Sequence, residues 1–241
     1  MKDILNIMRF DFLTAKTTAL PIFGVIAVMC NALGLLFSPM MFVYVLMAAS
    51  FLIVQLQTYA EKYGFHKLYG ILPINRKSIT RGRFQYIFWT FFAVEIFELI
   101  MTKLALVLKL YRILPNQENE TMQFVAETFN AESTLNYSLI VGIFVVMCVF
   151  FSYMQMMGQI FGQENEMKIV MITLAVITVG ALAFFGLDSY DIIPHINVLP
   201  DFDAMSLAKR TLWYIGLNAG AFVLNVLFGE ITAGKVSVRE L

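Results

Sequence analysis

QTYAEKYGFHKLYGILPINRKSITRGRF, residues 57–84, is a polar insert between apolar runs, and it carries the densest cluster of positive charge in the chain. Lys62, Lys67, Arg76, Lys77, Arg81 and Arg83 are six of the 17 lysines and arginines, with only Glu61 set against them. The segment also has local structure. Tyr59 and Tyr63, and likewise Lys62 and His66, stand at i,i+4, so a helix is expected to run on out of the preceding apolar stretch. Leu72-Pro73 should stop it, and Asn75 has the right type and position to cap a second short helix through Arg76, Lys77 and Ile79, with Gly82 as a joint.

Around this insert the chain is too apolar for a water-soluble domain. Of 241 residues, 59% are hydrophobic and only 14% charged, and the mean hydropathy is +0.75, which together point to an integral membrane protein. With a net charge of zero, only the distribution of charge along the chain is informative. Cys30 and Cys148 sit inside apolar runs, where a thiol behaves as a small hydrophobe, so neither a disulfide nor a metal site is expected. Asp3, Arg9, Asp11 and Lys16 break up the first residues, so the N-terminus reads as retained rather than as a cleaved signal.

Six apolar spans can be laid out in order. Residues 1–16 form an amphipathic helix with Ile4, Leu5, Met8 and Phe12 on one side and Lys2, Asn6, Arg9 and Lys16 on the other, which suits a membrane surface or a charged start to the first span. The rest, 17–241, reads as one six-span domain. Spans are expected at about 17–37, with a buried Asn31, and 40–58, joined by a Ser38-Pro39 turn, then at about 85–110, 135–157, 169–187 and 212–228. The coupling loop covers 60–83, and residues 158–168 form a short second loop. Residues 111–134 form an acidic loop, and 188–206 a broken acidic segment with two prolines. Asn119-Glu120-Thr121 and Asn136-Tyr137-Ser138 match a glycosylation pattern short enough to arise by chance. Gly180, Ala181, Ala183 and Gly186, and the pair Gly216 and Gly220, suggest close helix packing.

The third span is anomalous. Glu95 and Glu98 fall near its middle, where each ionisable group costs about 2.5–3.5 kcal/mol. Their i,i+3 spacing puts them on one face, either lining a substrate path or holding helices together. Orientation follows from counting charges. With the N-terminus inside, twelve lysines and arginines fall on the inner side and four (Lys109, Arg112, Lys209, Arg210) on the outer, which sets both termini and the insert in the cytoplasm.

Several chemistries find no residues here. There is no G-x-x-x-x-G-K-[ST] phosphate loop and no H-E-x-x-H, and His66 and His195 are expected on opposite sides of the membrane. The chain is therefore not expected to be an enzyme, nor to carry a cofactor or metal or to bind nucleic acid.

The motif LPINRKSITRGRF, residues 72–84, following a pair of spans and directly preceding another, resembles the cytosolic loop of permease subunits of type 2 ATP-binding-cassette exporters. The looser likeness covers the whole chain and is greatest to bacterial permeases that export amphipathic peptides or confer antimicrobial resistance. The resemblance implies a multi-pass plasma-membrane half-transporter. It would pair with a second permease copy or paralogue and with two ATPase subunits that hold the ATP and Mg. Carried over, the coupling contacts are Lys62, His66, Lys67, Tyr69, Pro73, Arg76, Lys77 and Ser78, with Phe161, Gln163 and Glu164 as a smaller second contact. The alternatives are a proton-coupled secondary transporter using Glu95 and Glu98, or a non-transporting membrane scaffold or sensor that docks a soluble partner through its basic loop.

Overall fold

The computed structural model describes residues 2–16, 19–36, 38–62, 76–108, 135–189 and 205–238, and among these there is helix but no strand. In chain order the helices are α1 (Lys2–Lys16), α2 (Ala19–Leu36), α3 (Phe42–Lys62), α4 (Arg76–Leu108), α5 (Leu135–Phe161), α6 (Gln163–Ser189) and α7 (Leu207–Val238), with a single 3-10 turn at Pro39–Met41. The described residues are all-α, with three helices long and apolar enough to cross a membrane.

Local chemistry explains the joints. Pro21 falls in the first turn of α2, where backbone N–H groups have no helical partner to lose. Between α2 and α3, Ser38 is extended and its Oγ accepts the Met40 N–H at 3.4 Å, with Pro39 in the first position of the turn. A Cβ on Gly34 would lie 2.2 Å from Cε1 of Phe42, so the last turn of α2 can rest against the start of α3 only because it has no side chain there. Gly162, at φ +84°, is the one residue between α5 and α6, in the left-handed conformation that ends helices.

Side-chain contacts fix the helix directions. Arg81 pairs with Glu230, Phe84 packs on Gly229, Phe88 meets Phe222 edge to face and Glu95 bonds Asn218, so α4 and α7 run antiparallel. Ser138 meets Tyr214, Ser152 meets Asn225 and Tyr153 meets Phe228, so α5 runs parallel to α7. The Gly162 joint and the Ser38 turn reverse the chain into α6 and α3. Near the start of α4, Gly82 lies against Ile7 of α1, which leads directly into α2, while Asn31 of α2 meets Glu98 far along α4. The helices α2 to α7 therefore alternate in direction.

Helix α4 is the centre, packed against α1, α2, α3, α5 and α7. Phe42, Leu46, Ile87, Phe91, Ile140 and Phe144 fill the space around it. Outward faces remain apolar. Val28, Ile172, Val176 and Leu212 are each more than 60% exposed (70%, 64%, 66% and 68%), more apolar surface than a water-soluble fold leaves open.

Several expectations are corrected. Among the described residues, three helical stretches rather than six are by themselves long and apolar enough to span: Ala19–Leu36, Tyr137–Phe161 and Leu207–Lys235. Two further apolar helical stretches, Pro39–Val54 and Lys168–Gly180, are shorter, and α4 carries two carboxyls in its middle. Gly82 is not a joint. α4 runs unbroken from Arg76, merging the expected second cytosolic helix with the span, and the missing side chain serves close approach, since a Cβ there would meet Ile7 Cγ2 at 2.8 Å. Helix α1 accordingly turns Ile7 and Asp11 inward and leaves Leu5 and Phe12 exposed. Residues 158–168 form no loop. They consist largely of good helix formers, and only Gly162 interrupts them. A Cβ on Gly180, Gly216 or Gly220 would meet nothing within 4 Å among the described residues, so these glycines serve no close approach between the described helices. The surroundings of Ala181, Ala183 and Gly186, the loop 111–134 and most of 188–206 lie outside what is described.

Gly34→Ala should destabilise the protein by about 1–3 kcal/mol through overpacking against Phe42, with partial rescue by Phe42→Leu. Denaturant unfolding in detergent micelles measures this, and an unchanged midpoint would contradict the close approach.

Candidate functional site

Two sites stand out, a polar hub in the middle of α4 and a basic end of the bundle. In the hub, Glu95 and Glu98 are both fully buried. The i,i+3 spacing turns them to one side of α4 but toward different neighbours. Asn218 of α7 donates to Glu95 Oε1 at 3.0 Å, and Asn31 of α2 donates to Glu98 Oε1 at 3.2 Å and also to the Ala27 carbonyl at 2.9 Å. A buried carboxyl is tolerated only when such donors replace water. Thr102, one turn on, returns its hydroxyl to the Glu98 carbonyl at 2.8 Å.

In each pair one carboxyl oxygen, Oε2, and the asparagine oxygen, Oδ1, are buried with no hydrogen-bond partner among the described atoms. A protonated carboxyl brings an O–H donor that an ionised one lacks. Below the hub, Asn225 of α7 donates to the Phe84 carbonyl at 3.0 Å and to Ser152 Oγ at 2.7 Å, and Ser152 in turn donates to the Cys148 carbonyl at 2.7 Å. One asparagine thereby ties α7 to α4 and α5.

The basic end gathers α1, the start of α2, the end of α3, the start of α4, the α5–α6 joint and the end of α7. Among the described helices it carries Arg9, Lys62, Arg76, Lys77, Arg81, Arg83, Lys168 and Lys235, while Lys103, Lys209 and Arg210 lie toward the opposite end. At this end Arg81 grips Glu230 through two contacts of 2.7 Å, and this hydrogen bond pushes the Arg81 guanidinium above its ordinary value.

Of the residues expected from sequence, Arg76 opens α4, Lys77 is exposed and Ser78 half-buried, all at the end where Phe161 is exposed beside Gly162. Lys62 closes α3, and Gln163 and Glu164 open α6, but their side chains lie outside the described residues, as does that of Arg76. His66, Lys67, Tyr69 and Pro73 lie wholly outside them. Sequence reasoning missed Asn218, Asn225, Ser152 and Glu230. The signal for the asparagines was available, since an amide inside an apolar run must find a partner helix. No protein-family model, curated protein or solved structure matches the chain.

Asn31→Ala should cost about 1–3 kcal/mol by leaving the Glu98 carboxyl without its donor, whereas replacing both Asn31 and Glu98 by Leu should recover most of that loss. A double-mutant cycle on unfolding free energy tests the pair, and additive effects would contradict it.

Proposed function

We propose that this chain is the transmembrane permease subunit of a type 2 ATP-binding-cassette exporter, moving an amphipathic or hydrophobic substrate such as a peptide, toxin or antimicrobial. In this reading the three long apolar helices α2, α5 and α7 cross the plasma membrane of a bacterium and carry α3, α4 and α6, which do not qualify alone, across with them, with both termini cytoplasmic and α1 lying along the inner surface. ATP is hydrolysed on two separate ATPase subunits, and a second permease copy or paralogue completes the path.

The observation that carries the reading is that the first turn of α4 and the α5–α6 joint open on one basic end of a bundle whose helices alternate in direction. These are the positions at which the LP-x-x-R-K-S resemblance puts the ATPase contacts. Helix α4 is unbroken from Arg76 to the hub, so a push at its first turn would travel about 29 Å along a rigid rod to Glu95 and Glu98. There the asparagine bridges would pass it to α2 and α7. Nucleotide on the partner would thus bias two packings of the same helices.

The joint substitution Arg76→Glu and Lys77→Glu should reduce the ATPase subunit recovered with the chain in mild detergent at least about tenfold, as loss of paired charges at a docking surface predicts. Unchanged recovery would contradict the docking role. A second reading, proton-coupled transport, is favoured by one observation, the unpartnered Oε2 atoms of Glu95 and Glu98. If purified chain alone in vesicles moved substrate down a pH gradient and Glu95→Gln abolished it, that reading would replace the first.

A further inference from the structure

A groove of about 520 Å³ runs between α1, α4 and α7 at the basic end. Its walls are Met8, Phe84 and Val226, and Trp89 sits at its deep end, 46% exposed. At its other end is the ion pair Arg81–Glu230, whose side chains are 41% and 49% exposed. From Arg81 to Trp89 is about 12 Å along α4, and Trp is the residue that favours the level where headgroups meet hydrocarbon. The site therefore has a charged head and an apolar body in the order and spacing of a lipid.

The head of the site is specific in its charge. Arg81 and Glu230 form an ion pair in which Nη2 donates to Oε2 at 2.7 Å and Nε lies 2.7 Å from Oε1, so the site presents a positive and a negative group side by side whose charges cancel. An anionic headgroup would meet Glu230 as well as Arg81. A headgroup that itself carries both signs would meet each with its opposite. A carboxylate holding two Arg81 contacts still has lone pairs to accept N–H donors, and a primary ammonium has three to give.

From this complementarity we infer that the groove binds a phospholipid with a zwitterionic, primary-amine headgroup, its phosphate at Arg81, its ammonium at Glu230 and an acyl chain along Met8 and Val226 toward Trp89. The site depends on embedding in a membrane and not on what drives transport.

The test uses the full chain in mixed micelles containing phosphatidylethanolamine, phosphatidylcholine and phosphatidylglycerol with identical acyl chains, with retained lipid read by native mass spectrometry. The wild type should keep phosphatidylethanolamine over phosphatidylglycerol by about fivefold, the effect of one charge near a membrane surface. Glu230→Gln should reverse that preference, and Trp89→Ala should lower retention of all three lipids alike. The charge swap Arg81→Glu with Glu230→Arg rebuilds the pair and should keep the zwitterion preference, which separates headgroup reading from folding. Preference for phosphatidylglycerol in the wild type, or a Glu230→Gln variant with unchanged selectivity, would overturn the assignment, as would retention of phosphatidylcholine equal to phosphatidylethanolamine.

Discussion

Two buried carboxyls on the central helix can exist only because an asparagine from a different neighbour reaches each of them, and the arrangement of the bundle follows from that requirement. Glu98 needs Asn31 and so holds α2 against α4, while Glu95 needs Asn218 and so holds α7 there. In hydrocarbon there is no hydrophobic drive to bring helices together, because lipid tails are as apolar as leucine, so polar bridges and close packing have to do it. Each such bond is worth only about 0.6–2 kcal/mol. Their value lies in specificity. A glutamate stranded against lipid is costly enough that alternative registers of α4 against α2 or α7 are disfavoured.

The same logic extends toward the basic end. Asn225 fixes α7 to α4 and α5, and the Arg81–Glu230 pair fixes the exposed end of the α4–α7 contact. Contacts spaced along the whole antiparallel pair leave α4 no freedom to slide on α7, and the absence of a hinge at Gly82 leaves it no bend there. A helix held in this way moves as a unit. That property suits a lever between a cytoplasmic partner and the middle of the membrane, and it would be lost if Gly82 were the joint that its position in the sequence suggests.

Much of this was legible in the chain beforehand. The helical class, the Ser38-Pro39 turn, the odd character of the third span and the gathering of positive charge all follow from periodicity and composition, because each depends on residues near one another in sequence. Partners were not legible. Asn218 and Asn225 lie more than 120 residues from the atoms they bond in α4, and nothing local to WYIGLNAGAFVLNVLF says which helix they face. Glycine was misread for a related reason. Gly82 as a hinge and Gly82 as a gap for Ile7 look identical in sequence, and only the neighbour distinguishes them. Gly216 and Gly220 differ again, since both open outward and pack against no described helix of the chain.

The alternating bundle with its basic end in the cytoplasm is the claim on which the lever, the docking surface and the lipid site all stand, and side-specific labelling tests it most directly. In a chain with Cys30→Ala and Cys148→Ala, single substitutions Ser78→Cys and Lys235→Cys at the basic end and Lys209→Cys at the other would be treated with a membrane-impermeant thiol reagent in oriented vesicles. The account predicts that positions 78 and 235 react only from the cytoplasmic side and position 209 only from outside. Labelling of 78 and 209 from the same side would contradict it.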